Sequence, residues 1–308
     1  MKVSEIKEYL RSKPGYLKEG GRRLSLHLKR KGYNATVADC KQAIGELRFK
    51  KYVKHEDLKP LKTLYFDIET SYYLSKIWQP GYKQFVSYDS VVKYGEIICI
   101  SYSWNDEKEV TCLKWDRNQS DKDMISEFIN ILNEADIIVG HNVDRFDLPW
   151  VRTRAMFHNL EMLPRYKTVD TLKLAKSKFR FPSNKLDALG EYLGLGRKIK
   201  VDYGLWDRVV EKKDLNALQE MMDYCNQDVL LLKKVFERLT TQELPYIHVG
   251  VLQGKDKITS PYTGLMNYEW IKTVTTPAGS KQHYMKDLDT NNVFIMNDSK
   301  FKKYQETL

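Results

Sequence analysis

Two acidic side chains stand two residues apart in an apolar segment, Leu64-Tyr65-Phe66-Asp67-Ile68-Glu69-Thr70. In a strand the side chains alternate between faces, so Asp67 and Glu69 would share one face while their apolar neighbours point into a core. Neighbouring carboxylates repel each other and are costly to bury. A divalent cation removes this cost, and oxygen ligands favour magnesium or manganese. The alternative is a strand end with two solvated acids.

Two later segments carry further acids on elements that could present them. Residues 142–147 follow a predicted strand and enter a helix, which is where α/β proteins place their sites. Tyr224 and Asp228 lie four residues apart on an amphipathic helix, so they share a face beside its apolar stripe. Taken alone, that pair is better explained as surface residues. Asp170 and Asp187 are more typical of helix starts and packing.

The elements that would position these residues alternate along the chain. Apolar runs predict strands at 64–68, 96–103, 109–115 and 136–140. Helical patterns occur at 121–134, 147–158, 185–193 and 214–239. This order predicts an α/β domain with a mixed sheet.

Together these residues resemble the exonuclease domain of the ribonuclease H-like (DnaQ-like) superfamily. The tyrosine-containing DEDDy subgroup is the match, with the proofreading domain of family B DNA polymerases as the nearest relative. The motif D-x-E is matched by residues 67–69, N-x(3)-F-D by residues 142–147, and Y-x(3)-D by residues 224–228. The histidine-containing subgroup would need histidine at position 223, which is Asp223 here. The resemblance covers roughly residues 61–240.

The resemblance implies a ribonuclease H-like mixed sheet flanked by helices, and 3′→5′ hydrolysis of phosphodiesters with two Mg²⁺ or Mn²⁺ ions. Asp67 would contact both ions, and Tyr224 would orient the attacking water rather than take its proton. The predicted metal ligands are Asp67, Glu69, Asp147 and Asp228. Together with Tyr224, these four acids are the predicted catalytic residues.

Four residues near the motifs are predicted to contact the substrate: Ile68, Asn142, Phe146 and Lys185. Core packing explains Phe146 equally well, and a solvated side chain is the simpler reading of Lys185. The segment 71–94 holds seven aromatic residues. It predicts either a platform on which bases stack or a loop that packs its own rings against the body.

The positive charge of the chain is concentrated at its start. The net charge is +10, and residues 1–63 hold 17 Lys/Arg and 7 Asp/Glu, an excess that equals the charge of the whole chain. This asymmetry predicts contact with a polyanion, with a solvated basic surface as the alternative. The predicted nucleic-acid contacts are Arg22, Arg23, Lys29, Arg30, Lys41 and Arg48.

Residues 1–60 are predicted to form a small helical domain of the helix-turn-helix or winged-helix type. Three short helices are expected, followed by a strand at 49–53. Thr36 with Asp39 three residues later has the spacing of a capping box at the third helix. The predicted second domain is residues 61–242.

Residues 243–308 are predicted to form a β-rich appendage. Ser260-Pro261-Tyr262-Thr263-Gly264 resembles the C-P-x-C-G knuckle of a zinc ribbon in which both cysteines are replaced, and Asp287-Leu288-Asp289 stands where a second knuckle would lie. Without thiolates no zinc is expected. An unrelated β extension is an equal alternative.

Composition limits the wider context. The four cysteines are scattered without a C-x-x-C pair, which favours a reducing cytoplasm. No apolar run approaches the ~20 residues of a membrane span, and the N-terminus lacks the apolar core of a signal peptide. The favoured function is a monomeric DNA exonuclease of phage or bacterial replication, recombination or repair. The alternatives are an RNA-trimming exonuclease and a nucleic-acid-binding or scaffolding protein with a vestigial site.

Overall fold

The computed structural model describes residues 1–12, 16, 20–52, 61–79, 81, 85–162, 166–199, 201–202 and 204–307, with the backbone alone for residues 11 and 45–52. It divides into two compact units, one of residues 61–245 and one that groups residues 1–60 with 246–308. The three-domain division stays a prediction. No helix in the described ranges has the length and apolar character needed to cross a bilayer.

Three helices form the N-terminal part: α1 (Val3–Ser12), α2 (Gly21–Arg30) and α3 (Val37–Tyr52). Their apolar sides enclose a small core that includes Leu10, Leu24 and Ile44. The predicted capping box is confirmed, because the backbone N–H of Asp39 donates to Thr36 Oγ1 at 3.0 Å and the Thr36 hydroxyl donates to the Asp39 carboxylate at 2.6 Å.

The strand predicted at 49–53 is wrong over its described part. Residues 49–52 continue helix α3, which ends at Tyr52. The segment after Gly45 is rich in glutamate, leucine, arginine and lysine, which are strong helix formers, and it has no residue that would stop the helix. Val53, the last residue of the predicted strand, lies outside the described residues.

A five-stranded sheet forms the centre of the 61–245 unit. Its elements are β1 (Thr63–Thr70), β2 (Leu74–Ser75), β3 (Val91–Lys93), β4 (Ile97–Trp104), β5 (Thr111–Lys114), α4 (Lys122–Glu134), β6 (Ile137–Gly140), α5 (Asp147–Phe157), β7 (Lys167–Asp170), α6 (Thr171–Lys178), α7 (Leu186–Tyr192), α8 (Gly204–Val210) and α9 (Leu215–Thr240). The order is β5-β4-β1-β6-β7, and β2 pairs with β3 in a separate ribbon. β1 is antiparallel to β4 and parallel to β6, so the predicted mixed sheet is confirmed.

The central strand β1 has two chemically different faces. Phe66 and its apolar neighbours lie in the main core, where the Phe66 ring is 5.0 Å from that of Phe128 on α4. The opposite face is turned toward α9, since the Tyr65 ring lies 5.7 Å from Phe236 and Asp67 contacts Cys225. One strand therefore secures the hydrophobic core and presents polar groups to a helix.

A small antiparallel sheet forms most of the C-terminal part. Its elements are α10 (Val249–Leu252), β8 (Tyr268–Thr275), β9 (Lys281–Asp287), β10 (Val293–Asn297) and α11 (Asp298–Thr307). The strand order is β10-β9-β8, and Tyr268, Met285 and Phe294 are buried against one face. The predicted β-rich character of this segment is confirmed.

Asp287 organises the two segments that resemble zinc-ribbon knuckles. Its carboxylate is fully buried and accepts hydrogen bonds from the hydroxyl groups of Thr263 at 2.8 Å and Thr290 at 3.1 Å. Burial favours the protonated acid, but hydrogen bonds from Ser260, Thr290 and Thr263 outweigh it and lower the pKa of Asp287. The Asp287 carboxylate thus joins Ser260 and Thr263 of the first segment to Thr290, which follows the second.

Candidate active site

The acids of β1 lie side by side on the face turned toward α9. Oxygen atoms of Asp67 and Glu69 and the Cys225 sulfur all lie within 4.8 Å of one another. The ladder with β4 is irregular between Glu69 and Thr70, so the regular pairing of β1 ends where these acids are presented. Two carboxylates are therefore held close together by the backbone of one strand.

Helix α9 adds a third acid and the predicted tyrosine. Asp228 is 1% exposed, and one of its oxygens accepts a hydrogen bond from the Lys198 ammonium. Its other oxygen, Oδ1, has no hydrogen-bond partner among the described residues. Tyr224, one turn earlier, lies half-buried with its hydroxyl 3.5 Å from the same ammonium.

The fourth acid depends on a turn of unusual backbone geometry. Asn142 follows β6 with φ = 71°, in the left-handed region that asparagine tolerates better than most residues. Its carbonyl accepts the backbone N–H of Phe146, and its own N–H donates to Asp170 at 3.0 Å. Asp170 also caps α6. This turn places Asp147 at the start of α5, where it is 2% exposed.

The charges of these acids raise one another's pKa values. Burial, followed by the charge of Asp228, raises the pKa of Asp67 to about 7, against the opposing charge of Lys198. The pKa of Glu69 is raised well above its usual value by burial and then by Asp67, Asp228 and Asp147. Burial also raises the pKa of Asp147 and of Asp228. The four carboxylates therefore form one electrostatic cluster.

This cluster fits divalent cations. Asp147 Oδ1 and Asp228 Oδ1 are both buried and lack a hydrogen-bond partner among the described residues, although buried polar atoms are nearly always paired. Hard cations such as Mg²⁺ and Mn²⁺ bind carboxylate oxygen and would satisfy both atoms and remove the repulsion. The four predicted ligands have the donor chemistry that these ions need.

The thiol of Cys225 stands beside this cluster without the properties of a ligand. Burial raises its pKa to about 12, so the sulfur keeps its proton at neutral pH. Metals bind the thiolate rather than the thiol. Its contacts with Asp67, 3.5 Å to the carbonyl oxygen and 3.8 Å to Oδ2, are those of packing and a weak S–H hydrogen bond.

The residue that sequence reasoning missed is Lys198. It lies in an irregular segment after α7, where no periodicity marks it, and its backbone N–H donates to Asp187 at 2.8 Å. Its side chain reaches Asp228 and lies over the Tyr224 ring, 5.5 Å from the centroid. The hydrogen bond that Lys198 donates to Asp187, a residue expected to serve packing, helps to position this cation.

Tyr224 keeps its proton in this environment. Burial and then the charge of Asp228 raise its pKa, with an opposing effect from Lys198. A phenol that stays protonated donates a hydrogen bond and cannot serve as a base near neutral pH.

The predicted substrate contacts occupy different positions. Ile68 is buried in the core, so its side chain does not face a substrate, although its backbone hydrogen-bonds Asp147. Phe146 is 40% exposed beside Asp147. Lys185 precedes α7 and lines a cavity of about 520 Å³ together with His141 and Lys198. Burial lowers the pKa of His141 to about 4, so its imidazole is uncharged at neutral pH.

The aromatic segment 71–94 contains both anchored and exposed rings. Tyr72 is fixed to the body, since its hydroxyl donates to Asp207 and Glu211 at 3.2 and 3.0 Å. Trp78, Phe85 and Tyr88 are largely exposed. Tyr82, also counted in the sequence pattern, lies outside the described residues.

The predicted basic contacts of the N-terminal part lie on two helices. On α2 they are exposed on the side opposite Leu24 and Leu28, which are buried in the small core: Arg22, Arg23, Lys29 and Arg30. Lys41 is exposed on α3. The side chain of Arg48 lies outside the described residues.

Residues 90–240 match the family model of the RNase_H superfamily. This match and the mixed five-stranded sheet confirm the predicted fold. Residues 90–240 of the 61–245 unit are therefore similar to the RNase_H superfamily.

Parts of the chain are also similar to DNA polymerases. A DNA polymerase of Thermococcus aggregans is 30% identical over 156 residues, which is 47% of this chain and 7% of that protein. One of Thermococcus litoralis is 35% identical over 105 residues, 31% of this chain and 5% of that protein. The chain thus spans less than a tenth of the length of these relatives. The structure of the family B DNA polymerase from Pyrobaculum calidifontis aligns with a TM-score of 0.45 and 18% identity, over 59% of this chain and 25% of that one.

Proposed function

We propose that the 61–245 unit is a metal-dependent 3′→5′ exonuclease of the DEDDy type that acts on DNA. The observation that carries this proposal is a pair of buried carboxylate oxygens, Asp147 Oδ1 and Asp228 Oδ1, which have no hydrogen-bond partner in the described part of the chain and lie in one cluster with two further acids. The RNase H superfamily match and the similarity to DNA polymerases support a nucleic-acid substrate, and DNA over RNA.

The four acids would hold two Mg²⁺ or Mn²⁺ ions. When bound, such ions lower the pKa of a coordinated water and stabilise the charge that develops on the phosphate. Tyr224 remains protonated and can donate a hydrogen bond that orients the attacking water. Phe146, exposed next to Asp147, would contact the terminal nucleotide. Lys198 donates to the other oxygen of Asp228, Oδ2, and its positive charge would oppose a cation at this site.

The test is hydrolysis of a 3′-labelled single strand by the purified full chain. With Mg²⁺ or Mn²⁺ we expect release of mononucleotides, and with EDTA we expect none. Asp67→Asn and Asp228→Asn should each abolish the release of mononucleotides, while thermal unfolding shows that both variants are still folded. Full activity in either variant would refute the assignment.

A matched control lies on the same helix. Asp223 is exposed, adjacent to Tyr224, and accepts a hydrogen bond from Gln219 on the helix surface. Asp223→Asn removes one carboxylate without touching the cluster and should keep full activity. Parallel assays on DNA and RNA strands of the same sequence decide between a DNA and an RNA nuclease.

We also propose that residues 1–60 anchor nucleic acid, supported by the exposed basic side of α2. Replacing Arg22, Arg23 and Arg30 with alanine should weaken binding and reduce its dependence on salt, because each lost phosphate contact lowers the logarithmic salt slope by about 0.7 to 0.9. Unchanged affinity and slope would refute it. A monomer acting in phage or bacterial replication, recombination or repair, in the cytoplasm, is the context that we propose from the sequence.

A further inference from the structure

Five aromatic rings follow one another from the candidate active site along the surface of the 61–245 unit. The Phe146 ring lies 6.5 Å from Trp150, which lies 6.2 Å from Tyr73. Tyr73 is 6.4 Å from Tyr94, and Tyr94 is 6.2 Å from Tyr88. We call this series, Phe146-Trp150-Tyr73-Tyr94-Tyr88, the aromatic ladder. Its first member is covalently adjacent to the metal-ligand candidate Asp147.

All five rings of the ladder line a cavity of about 480 Å³, and Trp150 also packs against the main core. Tyr73 is 55% exposed, Tyr94 44% and Tyr88 73%. Large rings are normally buried because exposing them forfeits the hydrophobic gain. A contiguous set of exposed rings therefore marks a binding surface rather than a packing defect.

Two local features hold this surface open. The hydroxyl groups of Tyr88 and Tyr94 hydrogen-bond each other at 2.7 Å, which fixes the outer rings. At Gly95 an added Cβ would lie 2.7 Å from Trp150 Cη2 and 3.1 Å from Tyr73 Cε2. Because Gly95 has no side chain, the rings of Trp150 and Tyr73 can approach each other.

The arginine and the rings of the cavity together indicate a ligand that carries both negative charge and flat apolar groups. Arg145 lines it with an exposed guanidinium group next to Phe146. Arg154 also lines it but is 4% exposed and bound to Asp121 and Glu96, so it stiffens the wall rather than presenting free charge. Stacking rings beside a cation match single-stranded nucleic acid, in which bases stack and phosphates pair with arginine.

We infer that the ladder binds the bases of a single strand on the 5′ side of the terminal nucleotide. This inference rests on the proposed function, because the 3′ end is placed at the four acids. Stacking carries little sequence information, since every base has a π face, so the ladder would hold strands of any sequence. It would draw unpaired DNA, rather than duplex, toward the acids.

The test measures binding of a single-stranded DNA 12-mer that carries 2-aminopurine at the second to fourth positions from its 3′ end. Binding is measured in EDTA, so that hydrolysis does not interfere. Tyr73→Leu with Tyr94→Leu should weaken binding by about 5- to 150-fold for each base that loses its stacking partner. Tyr73→Phe with Tyr94→Phe keeps the rings but removes the Tyr88–Tyr94 hydrogen bond, and it should retain most of the wild-type affinity.

A strand with abasic sites at the same positions completes a double-mutant cycle. The wild type should lose affinity for the abasic strand, and the leucine variant should bind both strands equally weakly. Unchanged binding by the leucine variant overturns the inference. It is equally overturned if the abasic sites weaken binding by the same factor in both proteins.

A single-nucleotide substrate separates this inference from the nuclease proposal. The p-nitrophenyl ester of thymidine 5′-monophosphate offers a phosphodiester without upstream bases. With Mn²⁺ the leucine variant should hydrolyse it at the wild-type rate. If neither protein hydrolyses it but strand binding still needs the rings, the ladder stands and the nuclease proposal fails. If both hydrolyse it and the rings do not affect strand binding, the nuclease proposal stands and the ladder fails.

Discussion

Removing the Lys198 ammonium should destabilise the metal-free protein far more than the metal-bound protein. Lys198 is the cation bound to the buried Asp228 carboxylate, and its charge opposes the raised pKa values of Asp67 and Glu69. Lys198→Met keeps most of the side-chain volume and removes the charge. Three mutually repelling acids would then lose this compensating charge.

The expected magnitude follows from burial. Breaking a buried ion pair costs about 3–5 kcal/mol because it leaves an uncompensated charge. The Asp228 side chain is 1% exposed and that of Lys198 is 28% exposed, so we place the loss at the lower end, about 3 kcal/mol. For a unit of 185 residues this corresponds to a fall in Tm of about 6–12 °C.

A surface pair provides the matched control. Lys173 contacts Asp144 at 2.7 Å, and their side chains are 53% and 25% exposed. Exposed pairs contribute about 0.2–1 kcal/mol, so Lys173→Met should lower Tm by less than about 4 °C.

The assay is thermal unfolding of the three proteins in EDTA and in a series of Mn²⁺ concentrations. A ligand that binds only the folded state stabilises it by RT ln(1 + [L]/Kd), about 2.7 kcal/mol at one hundred times Kd. Because the methionine cannot compete for Asp228, Mn²⁺ should raise the Tm of the Lys198 variant more than that of the wild type. Equal Tm values for the two variants in EDTA, or equal increases with Mn²⁺ in variant and wild type, would show that Lys198 does not compensate the acid cluster.

Three further predictions concern stability and metal binding. Burial favours protonated Asp121, but hydrogen bonds from Arg154 and from the Ile97 N–H outweigh burial and lower the pKa of Asp121. The ionised Asp121 carboxylate therefore stabilises the folded protein above the unfolded pKa near 3.9, and this stabilisation is lost as the pH falls through the folded pKa. Urea midpoints between pH 6 and 3 should fall more steeply for wild type than for Asp121→Asn, and parallel curves would contradict this. Because Asn142 has φ = 71°, Asn142→Gly should keep wild-type stability while Asn142→Ala loses about 1 kcal/mol in chemical unfolding, and equal stabilities would dismiss backbone strain. Cysteine can be introduced at four positions of the appendage, Ser260, Thr263, Asp287 and Thr290. The variant with all four cysteines should bind one zinc ion per chain by elemental analysis, whereas a variant with only two of them should not. Absence of zinc in the first variant would show that these positions do not form knuckles.

The elements predicted from the sequence are those with long and regular patterns. The stripe of α9 extends over seven turns, and the apolar runs of β1, β4 and β6 are bounded by polar residues, so local periodicity alone defined them. Short elements were missed. β7 has four residues and pairs with β6, and α8 has seven residues and packs against α9, so neither is long enough to show a clear pattern of its own.

The motif residues were implied by the resemblance to a known family, and the four acids and Tyr224 lie on regular elements. The role of Lys198 could not be predicted, since it lies outside helix and strand and meets Asp228 only through the tertiary fold. The left-handed Asn142 and the buried Asp287 network likewise depend on contacts between segments far apart in the chain. At residues 49–52 the short run of aromatic and basic residues predicts a strand, but helix α3 continues through it because the segment after Gly45 is rich in residues of high helix propensity.

The two-faced character of β1 also has a consequence for errors during folding. A slip of β1 by one residue against β4 and β6 would turn Asp67 and Glu69 into the apolar core and expose Phe66 and Ile68 to α9. Burying two unpaired acids among Phe128 and its neighbours would cost several kcal/mol each. Misregistered chains are therefore too unstable to persist, and the acids proposed for catalysis also help to specify the strand register of their own sheet.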